Sequence, residues 1–153
     1  MWGDESITVP VSDTGPNQFV ARTAGGFSFY TSPDLTTGAT LASGSGSWSS
    51  LSDRTVKANF SAVNGQALLA RLAALPIATW NDKAQPDSTR HMGPMAQDFR
   101  AAFGLGEDDK HISMVDAEGV ALAAIQALYE TVTEQNRQIV ELRARLAHLE
   151  QRQ

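Results

Sequence analysis

The stretch that decides the fold is "IQALYETVTEQNRQIVELRARLAHLE", residues 125–150. Its apolar residues recur at alternating steps of three and four, and no Gly or Pro interrupts the chain after Gly119. Sustained heptads with charged flanks are typical of a coiled coil, so we predict one long helix over residues 116–153. The a positions are Ile125, Val132, Ile139 and Leu146, and the d positions are Leu128, Gln135, Leu142 and Leu149, with Gln135 the one polar member. An amphipathic helix lying on its own domain is the alternative, but the narrow stripe favours the coiled coil.

Two features of the sequence point to different numbers of chains in the coil. β-branched residues at a with Leu at d favour a dimer. Against this, "RLAHLE" at 145–150 resembles an Arg-h-x-x-h-Glu pattern associated with three-stranded coils. The stem of Arg145 can cover the apolar seam while its guanidinium pairs with Glu150 of a neighbouring chain. This pattern tips the prediction toward a homotrimer.

The remainder of the chain divides by composition. Residues 1–50 are rich in Gly, Ser and Thr, and short alternations such as Phe27-Ser28-Phe29 and Ala39-Thr40-Leu41 predict strands joined by turns. These strands hold few apolar residues, so we expect them to pair with other chains. Residues 51–119 form a mixed segment, and residues 120–153 form the coil. Taken together, the three segments predict an α+β fold.

The mixed segment carries its own element signals. "GQALLARLAALP", residues 65–76, puts leucines on one helical stripe that a proline ends, and "IATWN", residues 77–81, predicts a strand. "HMGPMAQDFRAAFG", residues 91–104, predicts a strand end and a helix with Pro94 in its first turn and Gly104 at its cap. Asp116 is predicted as the N-cap of the long helix.

Composition excludes several functions. The net charge of −5 and pI of about 5.1 argue against a basic nucleic-acid surface. With no cysteine, thiolate metal sites are excluded, and the scattered histidines lack ligand spacing, so we expect no metal and no cofactor. No apolar run approaches the ~18 residues that span a membrane. The first 13 residues lack signal-peptide features and look like a cut through a longer protein.

The segment "LSDRTVKANF", residues 51–60, holds a possible nucleophile. Ser/Lys pairs are a known nucleophilic arrangement, in which the amine takes the hydroxyl proton. A lysine does so only when burial or a nearby cation, such as Arg54, favours its neutral form. Since residues five apart lie ~140° apart on a helix, Ser52 and Lys57 can meet only through a turn or extended backbone. The spacing alone is common and carries little weight.

A resemblance adds to this reading. "LSDRTVKANF", "PIATWN", "GPMAQDF" and "VDAEGVALAAIQALYE" stand in the order found in the C-terminal intramolecular chaperone domain of phage tailspikes and tail fibres. This is the endosialidase-type self-cleaving module, classed as peptidase S74, and the similarity runs from about Ser50 to Glu130. The resemblance implies a homotrimer that brings an upstream β-fibre of the same polypeptide into register and then removes itself.

The resemblance also implies site roles. Ser52 is the nucleophile, Lys57 is the base, and the Ser52 hydroxyl attacks its own carbonyl to cut the Ser52–Asp53 bond. Arg54 and Asn59 are supporting residues. The family often has Glu where this chain has Ala58, which puts the rate and regulation of the reaction in question.

The implied organisation is a β-rich fibre stub and Gly/Ser linker over 1–50, a chaperone core with the cleavage site over 51–119, and a coiled coil over 120–153. We expect a virion tail fibre or tailspike, or a prophage-encoded or bacterial surface fibre, folded in the host cytoplasm before release. A non-cleaving trimerisation module retained at a fibre tip is the alternative. A receptor-binding tip is a weaker third reading.

Overall fold

The computed structural model describes residues 2–3 and 9–152, and its fold is α+β, which confirms the predicted class. The chain forms two compact units, one ending at Phe60 and the other beginning at Ser61. Residue 1 and residues 4–8 of the predicted fibre stub, and residue 153 of the predicted coil, lie outside the described residues.

The first unit consists of short strands. β1 (Trp2–Gly3) pairs in parallel with β2 (Ala21–Arg22). β3 (Gly26–Tyr30), β4 (Gly38–Ala42) and β5 (Ser49–Ser50) form an antiparallel sheet in that order. Both predicted alternations lie in this sheet, where Phe27 is paired with Leu41 and Phe29 with Ala39. Since side chains alternate across a strand, these four apolar residues share one face.

The second unit contains the helices. In chain order its elements are α1 (Gly65–Ala74), β6 (Ala78–Trp80), β7 (His91–Gly93), α2 (Ala96–Phe103) and α3 (Met114–Glu150). β6 and β7 form an antiparallel hairpin. The N-cap of α1 is Asn64, whose side chain accepts a hydrogen bond from the Ala67 amide at 3.0 Å. The helix stops before Pro76, as the sequence predicts.

The core of the second unit is small. Leu75, Phe99 and Val120 come from the end of α1, from α2 and from α3, and each is at least nine-tenths buried. Phe99 also packs against Phe103, with ring centroids 5.0 Å apart. α2 then ends at Gly104, which has the left-handed φ of 66° predicted for its cap. The core therefore joins all three helices near the start of α3.

α3 uses a face of small residues for this packing. Val120, Ala124 and Ala127 are its buried residues, spaced at steps of four and three. One turn further on, Thr131 Oγ1 accepts a hydrogen bond from Gln66 Nε2 of α1 at 2.9 Å. Gly65 faces Ala127 so closely that a Cβ on Gly65 would lie 2.7 Å from the alanine Cβ. The small side chains thus let α1 approach the backbone of α3.

One predicted cap, Asp116, and one predicted first-turn residue, Pro94, are wrong. α3 begins at Met114 with Ser113 as N-cap, and Asp116 lies in its first turn, where a carboxylate still favours the helix dipole. Both the Asp116 and Ala117 amides bond to the Ser113 carbonyl at 3.1 Å, so the helical bonding starts before Asp116. Pro94 precedes the N-cap of α2, Met95, and so lies outside that helix.

Candidate functional site

The segment with the predicted nucleophile directly follows β5. Ser50 pairs with Ala39, and the Leu51 amide donates to the Gly38 carbonyl at 3.0 Å, so the chain is tied to the sheet up to Leu51. A single 3-10 turn, Arg54–Val56, comes next. We call residues 52–57 the Ser52–Lys57 turn. It lies wholly within the first compact unit.

The turn brings the predicted pair together. Lys57 Nζ lies 2.6 Å from Ser52 Oγ, within the distance required of a nucleophile and its base. The Lys57 amide donates to the Arg54 carbonyl at 3.3 Å, which reverses the chain between the two residues. The contact therefore forms through a turn, the route that the five-residue spacing requires.

Asp53 closes the start of the turn. Its Oδ1 accepts hydrogen bonds from the Thr55 amide at 2.8 Å and from the Thr55 hydroxyl at 2.9 Å. These two bonds, the amide bond first, hold the pKa of the Asp53 carboxyl below its ordinary value. Thr55 was not singled out from the sequence, although Asp followed two residues later by Thr is a known turn signal.

The two predicted supporting residues shape the chain after the turn. The Arg54 guanidinium lies over the Phe60 ring, 6.0 Å from its centroid. Asn59 adopts a left-handed φ of 56°, a conformation that asparagine tolerates better than most residues. The contact recorded for Arg54 is thus aromatic, and its predicted role as a cation beside Lys57 stays a prediction.

The Ser52–Lys57 turn is exposed along its whole length. An amine acts as a general base only when neutral, and burial favours the neutral form of a lysine. The single chain therefore supplies the contact between the two residues without the burial that the chemistry needs.

The heptad residues of α3 form a second exposed feature, in addition to the Ser52–Lys57 turn. The seven apolar a and d side chains keep between 45% and 63% of their surface exposed. We call them the heptad stripe: Ile125, Leu128, Val132, Ile139, Leu142, Leu146 and Leu149. Arg145 pairs within its own helix with Glu141, so the interchain pair with Glu150 stays a prediction. The stripe lies on different residues from the small-residue face that binds α1.

Two other kinds of site are absent from the described ranges, 2–3 and 9–152. No group of three or more His, Asp or Glu side chains stands close enough to hold a metal ion there. No helix in the same ranges is long and apolar enough to cross a membrane.

Comparison with protein families places the chain among chaperone-type domains. The particular family is Chaperone of endosialidase, peptidase S74, whose model matches residues 52–105. The match covers about one third of the chain, and it confirms the resemblance drawn from the sequence. The match begins at Ser52 and includes the Ser52–Lys57 turn, α1, the β6–β7 hairpin and α2. No curated protein and no solved structure matches the chain.

Proposed function

We propose that this protein is an intramolecular chaperone that trimerises, registers an upstream β-fibre of the same polypeptide and releases itself by Ser/Lys autoproteolysis at Ser52. The observation that carries the proposal is the 2.6 Å contact between Lys57 Nζ and Ser52 Oγ, at the first residues of the family match. A phage tail fibre or tailspike is the setting that the family favours.

The groups that exchange bonds and protons are these two side chains, the peptide and water. The neutral Lys57 amine takes the Ser52 hydroxyl proton as Oγ attacks a carbonyl carbon. The lysine ammonium returns that proton to the leaving nitrogen as the peptide C–N bond breaks. Water then hydrolyses the ester, giving a carboxylate and restoring the serine hydroxyl. Each chain reacts once, because the cut separates the peptide on which the pair acts.

The size of the ring that forms decides which bond one chain can cut. Attack of Ser52 Oγ on its own carbonyl, the reaction that the resemblance implies, closes a strained four-membered ring. Attack on the Leu51 carbonyl closes a five-membered ring, the ring of an ordinary N-to-O acyl shift. We therefore assign attack within one chain to the Leu51–Ser52 bond. Cleavage of Ser52–Asp53 instead requires the Ser52 hydroxyl of a neighbouring copy.

The Ser52–Lys57 turn and the heptad stripe are both exposed in the single chain, which supports a reaction that depends on assembly. Burying the heptad stripe against other copies would stabilise the assembly, at about 25 cal/mol for each Å² of apolar surface removed from water. Neighbouring copies that cover the Ser52–Lys57 turn would also favour the neutral amine of Lys57. Cleavage would then report that three fibres have been brought into register. The "RLAHLE" pattern supports three chains rather than two.

The test is to express the chain, size it under native conditions and weigh its fragments by mass spectrometry. Wild type should give a fragment beginning at Ser52 for in-chain attack, or at Asp53 for attack between copies. Ser52→Ala and Lys57→Ala should stay whole, and Lys57→Arg should too, because it keeps the cation but not the base. Ser50→Ala, a nearby exposed serine, is the matched control and should cleave like wild type. An intact wild-type trimer would overturn the proposed autoproteolysis.

A non-cleaving trimerisation module is the second candidate. The observation that favours it is Ala58, which stands where the family often has Glu. Under this reading the trimer forms and the chain stays whole. Restoring the carboxylate with Ala58→Glu tests whether the departure matters, since this variant should then cleave while wild type stays whole.

A further inference from the structure

The Ser52–Lys57 turn is held by bonds of unequal quality. Its two backbone bonds, Val56 amide to Asp53 carbonyl and Lys57 amide to Arg54 carbonyl, are long at 3.4 and 3.3 Å. Good N–H···O bonds lie between about 2.7 and 3.2 Å, and a lone 3-10 turn has poor bond geometry in any case. The backbone alone therefore fixes the turn weakly.

Apart from the Lys57–Ser52 contact itself, the short bonds in the turn belong to Thr55. Its amide and hydroxyl both donate to Asp53 Oδ1, at 2.8 and 2.9 Å. Because the acceptor is a carboxylate, these bonds are stronger than bonds between neutral groups. The Thr55 hydroxyl thus adds a second tie between the residue that follows Ser52 and the middle of the turn, two residues before Lys57.

We propose that Thr55 is a positioning residue for the reaction at Ser52: its hydroxyl bond to Asp53 holds the turn in the conformation that places Lys57 Nζ against Ser52 Oγ. This inference rests on the proposed autoproteolysis. Thr55 touches neither reacting group. It acts by keeping the flexible lysine and the serine in one geometry, and such fixing lowers the entropic barrier of a reaction.

The chain offers a matched control for this inference. Asp34-Leu35-Thr36 repeats the same Asp-x-Thr arrangement in a loop between β3 and β4. There the Thr36 hydroxyl donates to Asp34 Oδ1 at 2.7 Å, and the Thr36 amide donates to the same atom at 3.3 Å. A Thr→Val change removes the hydroxyl bond to the aspartate at both places and nearly keeps the side-chain shape, and at Thr36 it also removes a 3.3 Å contact with Ser32 Oγ. Only the change at Thr55 should affect cleavage.

The test is the rate of cleavage of freshly assembled full-length chain, followed by intact mass. Thr55→Val should cleave roughly ten-fold more slowly than wild type, the ratio set by one hydrogen bond to a charged group. Thr55→Ser keeps the hydroxyl and should cleave within about three-fold of wild type, since only a methyl is lost. Thr36→Val should match wild type. Native sizing and thermal unfolding should be the same for all four proteins.

Three other results would count against the positioning role of Thr55. Wild-type rates for Thr55→Val would overturn the positioning role and leave autoproteolysis standing. Equal slowing of Thr55→Val and Thr55→Ser would also overturn it, because the lost methyl and not the hydroxyl would then be responsible. Failure of the assembled wild type to cleave would overturn this inference together with the proposed function.

Discussion

Gly65→Ala should destabilise the packing of α1 on α3, although alanine is the better helix former. A Cβ on Gly65 would lie 2.7 Å from the Ala127 Cβ, about 1 Å inside ordinary van der Waals contact. Forcing a methyl into a packed interface costs about 1–3 kcal/mol. The gain in helix propensity is at most about 1 kcal/mol, and less at the first residue of a helix. We expect a net loss of about 1 kcal/mol.

The assay is urea unfolding followed by far-UV circular dichroism, at one protein concentration and in a Ser52→Ala background that keeps the chain whole. Gly119→Ala is the matched control, because nothing lies within 4 Å of a Cβ there and the glycine stands inside α3. That control should gain up to about 1 kcal/mol. The paired change Gly65→Ala with Ala127→Gly should show favourable coupling. A Gly65→Ala protein as stable as wild type, or an absence of coupling, would refute the proposed close approach of the two helices.

Three further predictions test other parts of the chain. Ile139→Asp, on the heptad stripe, should abolish the trimer in native sizing, whereas Val140→Asp, equally apolar and off the stripe, should keep it; equal loss in both would contradict the stripe as the interface. Phe99→Ala should cost about 3 kcal/mol or more in urea unfolding, because this side chain is 5% exposed at the centre of the core; a loss below about 1 kcal/mol would contradict that packing. Hydrogen bonds from Arg137 and then Gln138 lower the pKa of Glu134 from its ordinary 4.5 to about 2, so its contribution to stability is present above about pH 4.5 and is lost as the pH falls toward 2. The stability difference between wild type and Glu134→Gln should therefore shrink over that pH range in thermal unfolding, and a difference that grows would contradict this sign.

Local pattern was sufficient to predict most elements. The leucine stripe and Pro76 predicted α1, and the observed helix ends at Ala74 with its cap at Leu75. The alternations in the first 50 residues predicted β3 and β4. The long heptad pattern predicted α3, with an end at Glu150 rather than at the last residue. These features depend on neighbours within a few residues, which the sequence displays directly.

The packing of α3 on α1 was missed because its signal is weak. The residues of that face, Val120, Ala124 and Ala127, are small, and the heptad stripe beside them dominates the periodicity. Gly65 fits there only because Ala127, more than 60 positions away, approaches it. A contact of this kind depends on how two helices dock, which no short window of sequence contains.

The candidate site was predicted in part. Family resemblance singled out Ser52 and Lys57, and the structure brings the two side chains together. Thr55 was missed because its role depends on a turn whose shape the spacing of Ser and Lys leaves open. The division into functional domains stays a prediction: residues 51–60 lie with the strands as a compact unit, whereas the sequence groups them with the helices that follow.

The most direct test of the account is the intact mass of the wild-type chain isolated as its native oligomer. The account predicts a trimer whose chains are cut at Ser52, with the C-terminal fragment beginning at Ser52 or Asp53. A wild-type trimer that holds only whole chains would contradict it.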